Sequence, residues 1–220
     1  MQASYWHEKW QKGETAFHQF KGSPLLKAHF SELGLPKLSR LLVPLCGKTR
    51  DIAWLVAHGH HVVAAELHEP AVIQLFNDME IEPKVMHLGE FDLIHYQAIV
   101  DELTIDVYVG DIFQLNPALV GRVDGIYDRA ALVALPFDMR EKYTSHMREL
   151  SGAAPQLLIS FDYEQHLLPG PPYCVDAGEV VSHYGEHYDI SQLASEDVAG
   201  GLKGKLKANE EVWLLRKSEP

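Results

Sequence analysis

The stretch RLLVPLCGKTRDIAWLVAHGHHVVAAELHE, Arg40 to Glu69, constrains the fold more than any other part of the chain. An apolar run, a turn with one glycine, an amphipathic segment stopped by Gly59 and a β-branched run ending in Glu66 read as strand, turn, helix, strand. Strands joined through a helix run parallel, and a parallel pair needs cover on both faces. The expected class is therefore α/β: a mostly parallel central sheet with helices on both faces and ligands at the carboxyl ends of the central strands.

The rest of the chain fits that frame. Ser4 is expected to cap a short helix carrying Trp6 and Trp10 and ending at Gly13, and Ser23-Pro24 opens a second helix running to Gly34. These segments make residues 1–35 an N-terminal helical cover, or flap, over a core of 36–220. No linker divides the 220 residues, so 1–220 reads as a single domain. Helix PAVIQLFNDM and strand KVMHL follow, then the alternating pair FDLIHYQ and TIDVYVG, which suits a hairpin. Strand RVDGIYD, helix FDMREKYTSHMREL and strand PQLLISFDYE continue the alternation. Helix EVVSHYG comes next, and HYDISQL and EEVWLLRK give antiparallel strands at the C-terminal end.

Charge and composition exclude several classes. With 19 Lys+Arg against 31 Asp+Glu the formal charge is −12, which repels a phosphate backbone, so nucleic acid is not an expected partner. No segment approaches the roughly 20 apolar residues of a membrane span, and the first residues lack a basic region and an apolar run. A cytoplasmic protein without a membrane partner is expected. Cys46 and Cys174 read as free thiols, since a disulfide framework carries more cysteines in a shorter chain. His58, His60 and His61 cluster, and His183 and His187 stand four apart, but neither set supplies a full ligand shell, so no metal is expected. Nothing requires a second copy of the chain, and a monomer is expected.

Three nucleotide-site readings compete for VPLCGKTRD. Gly47-Lys48-Thr49 matches the back half of a phosphate loop, but Leu42 stands where its leading glycine belongs and Pro44 removes an N–H from a loop that would have to present them. A dinucleotide fingerprint needs three glycines and only Gly47 is present, which disfavours an NAD-dependent oxidoreductase. A nucleoside ligand without a phosphate chain needs one glycine for close approach and an acid for the ribose hydroxyls. Glu66 follows Gly47 by 19 residues, close to the spacing of a ribose acid, although a solvated strand-end acid has the same position.

VPLCGKTRDIAWL, GHHVVAAELHEPAV, GDIFQL, VDGIYDRAALVALP and PGPPYCV, preceded by WHEKWQKGETAFHQF, resemble the thiopurine S-methyltransferase family in order and spacing, nearly from end to end. The resemblance implies a Rossmann-like class I methyltransferase fold, S-adenosylmethionine as cofactor and S-adenosylhomocysteine as product. The acceptor it implies is a small-molecule thiol or metalloid. By the same resemblance Trp10 and the segment to Phe17 fold over cofactor and acceptor. Leu45 and Gly47 line the methionine side, Glu66 holds the ribose, and Asp111 and Ile112 lie at the adenine. Arg129 falls near cofactor and acceptor as the catalytic group, Phe17 touches the acceptor ring, and His18 approaches it to assist proton removal.

Plainer readings stand beside these. Asp111 suits a turn cap, Arg129 a surface ion pair with Asp128, His18 a solvent-facing side chain, and Cys46 simple packing. A binding module that does no chemistry is the remaining alternative. AAEL departs from a glycine-containing form common before the family's acid, and residues 89–106 are longer than in many bacterial relatives.

Overall fold

The computed structural model describes residues 3–15 and 18–218. It opens with α1 (Ala3–Gln11), so Ser4 lies inside the first turn and does not cap it; the cap position falls before the described residues. α2 (Pro24–His29) begins as expected, with the Ser23 hydroxyl accepting from the Leu26 N–H at 3.2 Å, and a 3-10 turn, Phe30–Leu33, carries it to Gly34.

β1 (Arg40–Val43), α3 (Asp51–Ala57) and β2 (His61–Glu66) form the strand, helix and strand of the opening stretch. α3 starts at Asp51 because the Thr49 hydroxyl accepts from its N–H at 3.2 Å. α4 (Glu69–Asp78) leads to β3 (Lys84–Leu88), β4 (Leu93–Val100) and β5 (Leu103–Val109). After the short α5 (Pro117–Val120) come β6 (Gly125–Arg129), α6 (Phe137–Ser151), β7 (Gln156–Asp162), α7 (Ala177–Tyr184), β8 (Tyr188–Asp197) and β9 (Asn209–Lys217).

Among the described residues nine strands make one sheet in the order β3-β4-β5-β2-β1-β6-β7-β9-β8. Its centre, β5-β2-β1-β6-β7, is parallel, as expected. Antiparallel pairs flank both sides, because β3 and β4 fold onto β5 as a meander and β9 and β8 close the other edge.

Each face has its own core. Leu26, Ile52, Leu55, Val72 and Phe76, from α2, α3 and α4, pack on the face of Val43, Ala64, Tyr127 and Ile159. Tyr143, Met147, Val180 and Tyr184, from α6 and α7, pack on the face of Leu42, Val63, Ile126 and Leu158. The chain builds from β1 outward to β2 and β5, then returns and adds β6 and β7 on the other side. The carboxyl ends of β1 and β6 therefore border a topological switch point, the place where open α/β sheets bind ligands. Among the described residues no helix is long and apolar enough to cross a membrane.

Candidate active site

At the end of β1 the chain turns sharply. Leu45 and Gly47 both take left-handed backbone, φ +43° and +54°, a conformation natural for glycine and costing about 1–2 kcal/mol for leucine. The turn delivers the Gly47 N–H to Glu66 Oε2 at 2.7 Å, while the His68 N–H donates to Glu66 Oε1 at 2.8 Å. The acid at the end of the second strand thus clamps the bend at the end of the first. Glu66 is only 6% exposed, and burial pushes its carboxyl up while the N–H groups of His68, Gly47 and Leu67 hold it down. Among the described residues no cation pairs with it. A carboxylate offers about four acceptor positions, so these N–H groups leave acceptor capacity for a ligand hydroxyl.

Beside β2, the Gly110 N–H donates to the Glu66 carbonyl at 2.9 Å, and this brings the end of β5 to the same edge. Asp111 is exposed there and its Oδ1 accepts from the Phe113 N–H at 3.0 Å, so it does cap the turn, with the other oxygen left outward. Ile112 is buried in the core. Its carbonyl, 2.9 Å from His146 Nε2, is held by α6.

β6 sends two neighbouring charges to opposite faces. Asp128 is fully buried, accepting from Tyr143 Oη at 2.7 Å and the Leu132 N–H at 3.1 Å, and burial raises its carboxyl to about 6. A surface ion pair between Asp128 and Arg129 is therefore ruled out. Arg129 lies on the Tyr127 face, the same face as Glu66, and its charge is felt by Tyr127 and by His18. Ala130, φ +62°, turns the chain immediately after it.

Two contacts of the N-terminal segment bear on the site. At its base the Ser23 N–H donates to Asp51 Oδ1 at 2.6 Å and Tyr127 Oη donates to Asp51 Oδ2 at 3.0 Å, a buried tie joining cover, α3 and β6. At its tip Trp10 stacks on His68, with ring centroids 5.7 Å apart and planes 11° from parallel, and His7 Nδ1 lies 3.0 Å from His68 Nδ1. Trp10 therefore stands beside the Glu66 clamp. His18 packs edge-on against Phe20, centroids 5.0 Å apart, and its pKa is lowered by burial and by the charges of Lys48, Arg50 and Arg129. Neutral imidazole is favoured there. Phe17 lies outside the described residues.

Sequence reasoning missed His68 and Asp51. Asp51 carried one signal, an acid after Thr49 at a helix start, but its partners lie 28 and 76 residues away. His68 carried none.

The other sequence candidates have local explanations. Lys48 Nζ donates to Gln74 Oε1 at 2.9 Å and the Gly47 N–H is occupied by Glu66, so the turn does not form a phosphate cradle. Cys46 is buried, with its thiol pKa pushed well up by burial, and both cysteines are free thiols. The clustered histidines separate: His58 stacks on Trp54 with centroids 3.7 Å apart, His60 packs on Phe30, and His61 Nδ1 meets Thr104 Oγ1 at 3.1 Å. Among the described residues no group of three potential metal ligands forms. A separate hollow of about 400 Å3, lined by residues including Tyr163, Leu206 and Lys207, opens at the end of β7.

The switch point thus gathers one acid with spare acceptor capacity, a second exposed acid and an indole stacked on an imidazole, groups able to accept from hydroxyl and amino donors. A family model described as thiopurine S-methyltransferase matches residues 1–218. The thiopurine S-methyltransferase of Gluconobacter oxydans (strain 621H) is 44% identical over 218 residues, covering 99% of this chain and 96% of that protein. That of Teredinibacter turnerae (strain ATCC 39867 / T7901) is also 44% identical over 218 residues, covering 99% of each. Among solved structures, Burkholderia thailandensis 1,6-didemethyltoxoflavin-N1-methyltransferase, with 1,6-didemethyltoxoflavin and S-adenosylhomocysteine bound, shares the fold at TM-score 0.63 and 18% identity, covering 99% of this chain and 87% of its own. Matched over nearly its whole length, and carrying its acid and its arginine on one face of the switch point, the chain belongs to the thiopurine S-methyltransferase family.

Proposed function

We propose that this chain methylates the sulfur of aromatic or heterocyclic thiols, with selenium and tellurium compounds as related acceptors. The observation that carries the reading is the Glu66 carboxylate, clamped on the Gly47 turn with acceptor capacity to spare and, among the described residues, no cation paired with it. Bound S-adenosylmethionine would supply a methyl already activated on a sulfonium. Glu66 would hold its ribose hydroxyls, Asp111 and the Ile112 backbone its adenine, and the Leu45–Gly47 turn its methionine side, under Trp10.

The chain's remaining task is positioning. Holding a soft nucleophile in line at near-attack distance supplies on the order of 7–11 kcal/mol, so no covalent enzyme intermediate is needed. The Arg129 guanidinium steadies a thiolate on the shared face. His18, kept neutral by burial and its cationic neighbours, and Phe17 would border the acceptor from the cover side. A cytoplasmic setting accords with the two free thiols.

Calorimetric titration with S-adenosylmethionine and with NADH tests the cofactor, and turnover with a thiol panel, read as S-adenosylhomocysteine, tests the chemistry. Binding of NADH alone would overturn the reading, and cofactor binding without turnover would favour a binding module. Arg129→Ala should reduce kcat roughly tenfold to a hundredfold for acceptors bound as thiolates, from the loss of a charge-assisted contact, and less for neutral thiols. Equal losses would remove Arg129 from acceptor binding.

A further inference from the structure

After Asn209, β9 carries two adjacent acids, Glu210 and Glu211, that point to opposite faces. Glu211 is buried on the Trp213 face and accepts from Ser195 Oγ at 2.7 Å and from Gln192, so it belongs to the structure of the β8–β9 pair. Glu210 takes the other face. Val212 pairs with Ile159, and Ile159 with Arg129, so these three form one row across β9, β7 and β6. Glu210, opposite Phe161, stands two residues beyond that row toward the carboxyl edge, on the face that carries Arg129 and Glu66. It is half-buried, and among the described residues nothing donates a hydrogen bond to its carboxylate. A partly enclosed acid without a structural partner, at the ligand edge and within the field of the proposed acceptor arginine, calls for a chemical explanation.

We propose that Glu210 accepts the proton that the methyl acceptor must lose; the inference rests on the reading that the acceptor lies beside Arg129. The S–H bond of a neutral thiol breaks and its proton passes to a Glu210 oxygen. The freed pair forms the S–CH3 bond, and the departing thioether keeps the pair of the broken C–S bond. Arg129 compensates the negative sulfur during this exchange while the proton neutralises the carboxylate. The charged groups acting on Glu210 fit the role. Burial raises its carboxyl, the Arg129 charge lowers it, and Glu196, its cross-strand neighbour on β8, raises it, with a net upward shift toward the range of a useful base. Because the shift is upward, the base form develops as pH rises through that higher value, which gives activity an acid-side limb.

The test compares two acceptors in wild type and Glu210→Gln: benzyl mercaptan, which is protonated at neutral pH, and a strongly acidic fluorinated benzenethiol, which is already ionised. The variant should lose ~100-fold in kcat with benzyl mercaptan, the usual scale of a general base, and keep the ionised thiol within about threefold. Its acid-side limb with benzyl mercaptan should vanish, and calorimetric affinity for S-adenosylmethionine should not change. Independently of turnover, the thiolate absorbance of benzyl mercaptan bound beside S-adenosylhomocysteine should appear at lower pH in the variant, because the lost carboxylate no longer opposes a second negative charge, and an unchanged onset would overturn the proposal. Equal losses with both thiols, a surviving limb, or a His18→Gln variant that shows the selective loss instead would overturn the proposal. If Glu210→Gln does not fold, Glu210→Asp makes the same comparison with the charge retained at shorter reach. A wild type that binds cofactor yet yields no S-adenosylhomocysteine from either thiol would instead defeat the methyltransferase reading itself, and this inference with it.

Discussion

Asp106 in β5 and Glu66 in β2 are both buried acids on adjacent strands, and the protein treats them in opposite ways. Asp106 is surrounded by donors: His95 Nε2 and Gln97 Nε2 each lie 2.8 Å from Oδ1, and Arg40 Nη2 lies 2.9 Å from Oδ2. Burial works to raise its carboxyl, but His95, Gln97 and Arg40 outweigh burial and the net shift is downward. Glu66 has backbone N–H partners and, among the described residues, no cation, and its net shift is upward. An acid neutralised by cations has its charge committed to the fold. One held by N–H groups keeps negative potential and lone pairs for whatever enters the crevice.

The contrast can be broken from either side. The largest effect belongs to Asp106→Ala, which leaves the largely buried Arg40 guanidinium without its carboxylate and should cost about 3–5 kcal/mol in urea unfolding, with cofactor affinity unchanged. The sign with pH follows from the downward shift. Asp106 contributes stability above its ordinary value of 3.8 and loses it as pH falls through the lower folded value, so the variant's acid unfolding should be flatter in that range. Glu66, shifted up from 4.5, works the other way, and its contribution declines as pH rises through the raised value.

Glu66→Ala comes next. Loss of charge-assisted bonds worth about 1.5–3 kcal/mol should weaken S-adenosylmethionine binding roughly tenfold to a hundredfold in calorimetry, while the protein remains folded. Unchanged affinity would remove the ribose assignment.

The smallest effect concerns the cover. His68 is pushed below its ordinary 6.5 by burial and by His7, so the His7–His68 contact is intact above that value and is lost as pH falls through the lower one. Cofactor affinity should therefore drop a few-fold between neutral pH and about pH 5 in wild type and change less in His7→Phe. An identical drop in both would show that the cover is not held by this pair.

These regions also differ in how far the sequence reveals them. The run from Arg40 to Glu69 was legible because its strand, turn, helix and acid are local, and periodicity with one glycine places Glu66 against the bend. The Ser23–Asp51–Tyr127 tie, the Trp10–His68 stack and the Asp106 network were not, since each joins residues through the fold that nothing local links. Asp128 shows the limit most directly. As a neighbour of Arg129 it looks like that residue's ion-pair partner, and only the Tyr143 hydroxyl on α6 shows that it faces away.

Asp128 and Arg129 also limit how the chain can change length. Deleting one residue early in β6 would turn every following side chain over, placing a guanidinium where Tyr143 now meets an enclosed acid and removing the cation from the face of Glu66, and an insertion would put the acid on that face instead. Gain and loss of residues over generations should therefore collect in hairpins such as β4–β5, while this five-residue strand keeps its count.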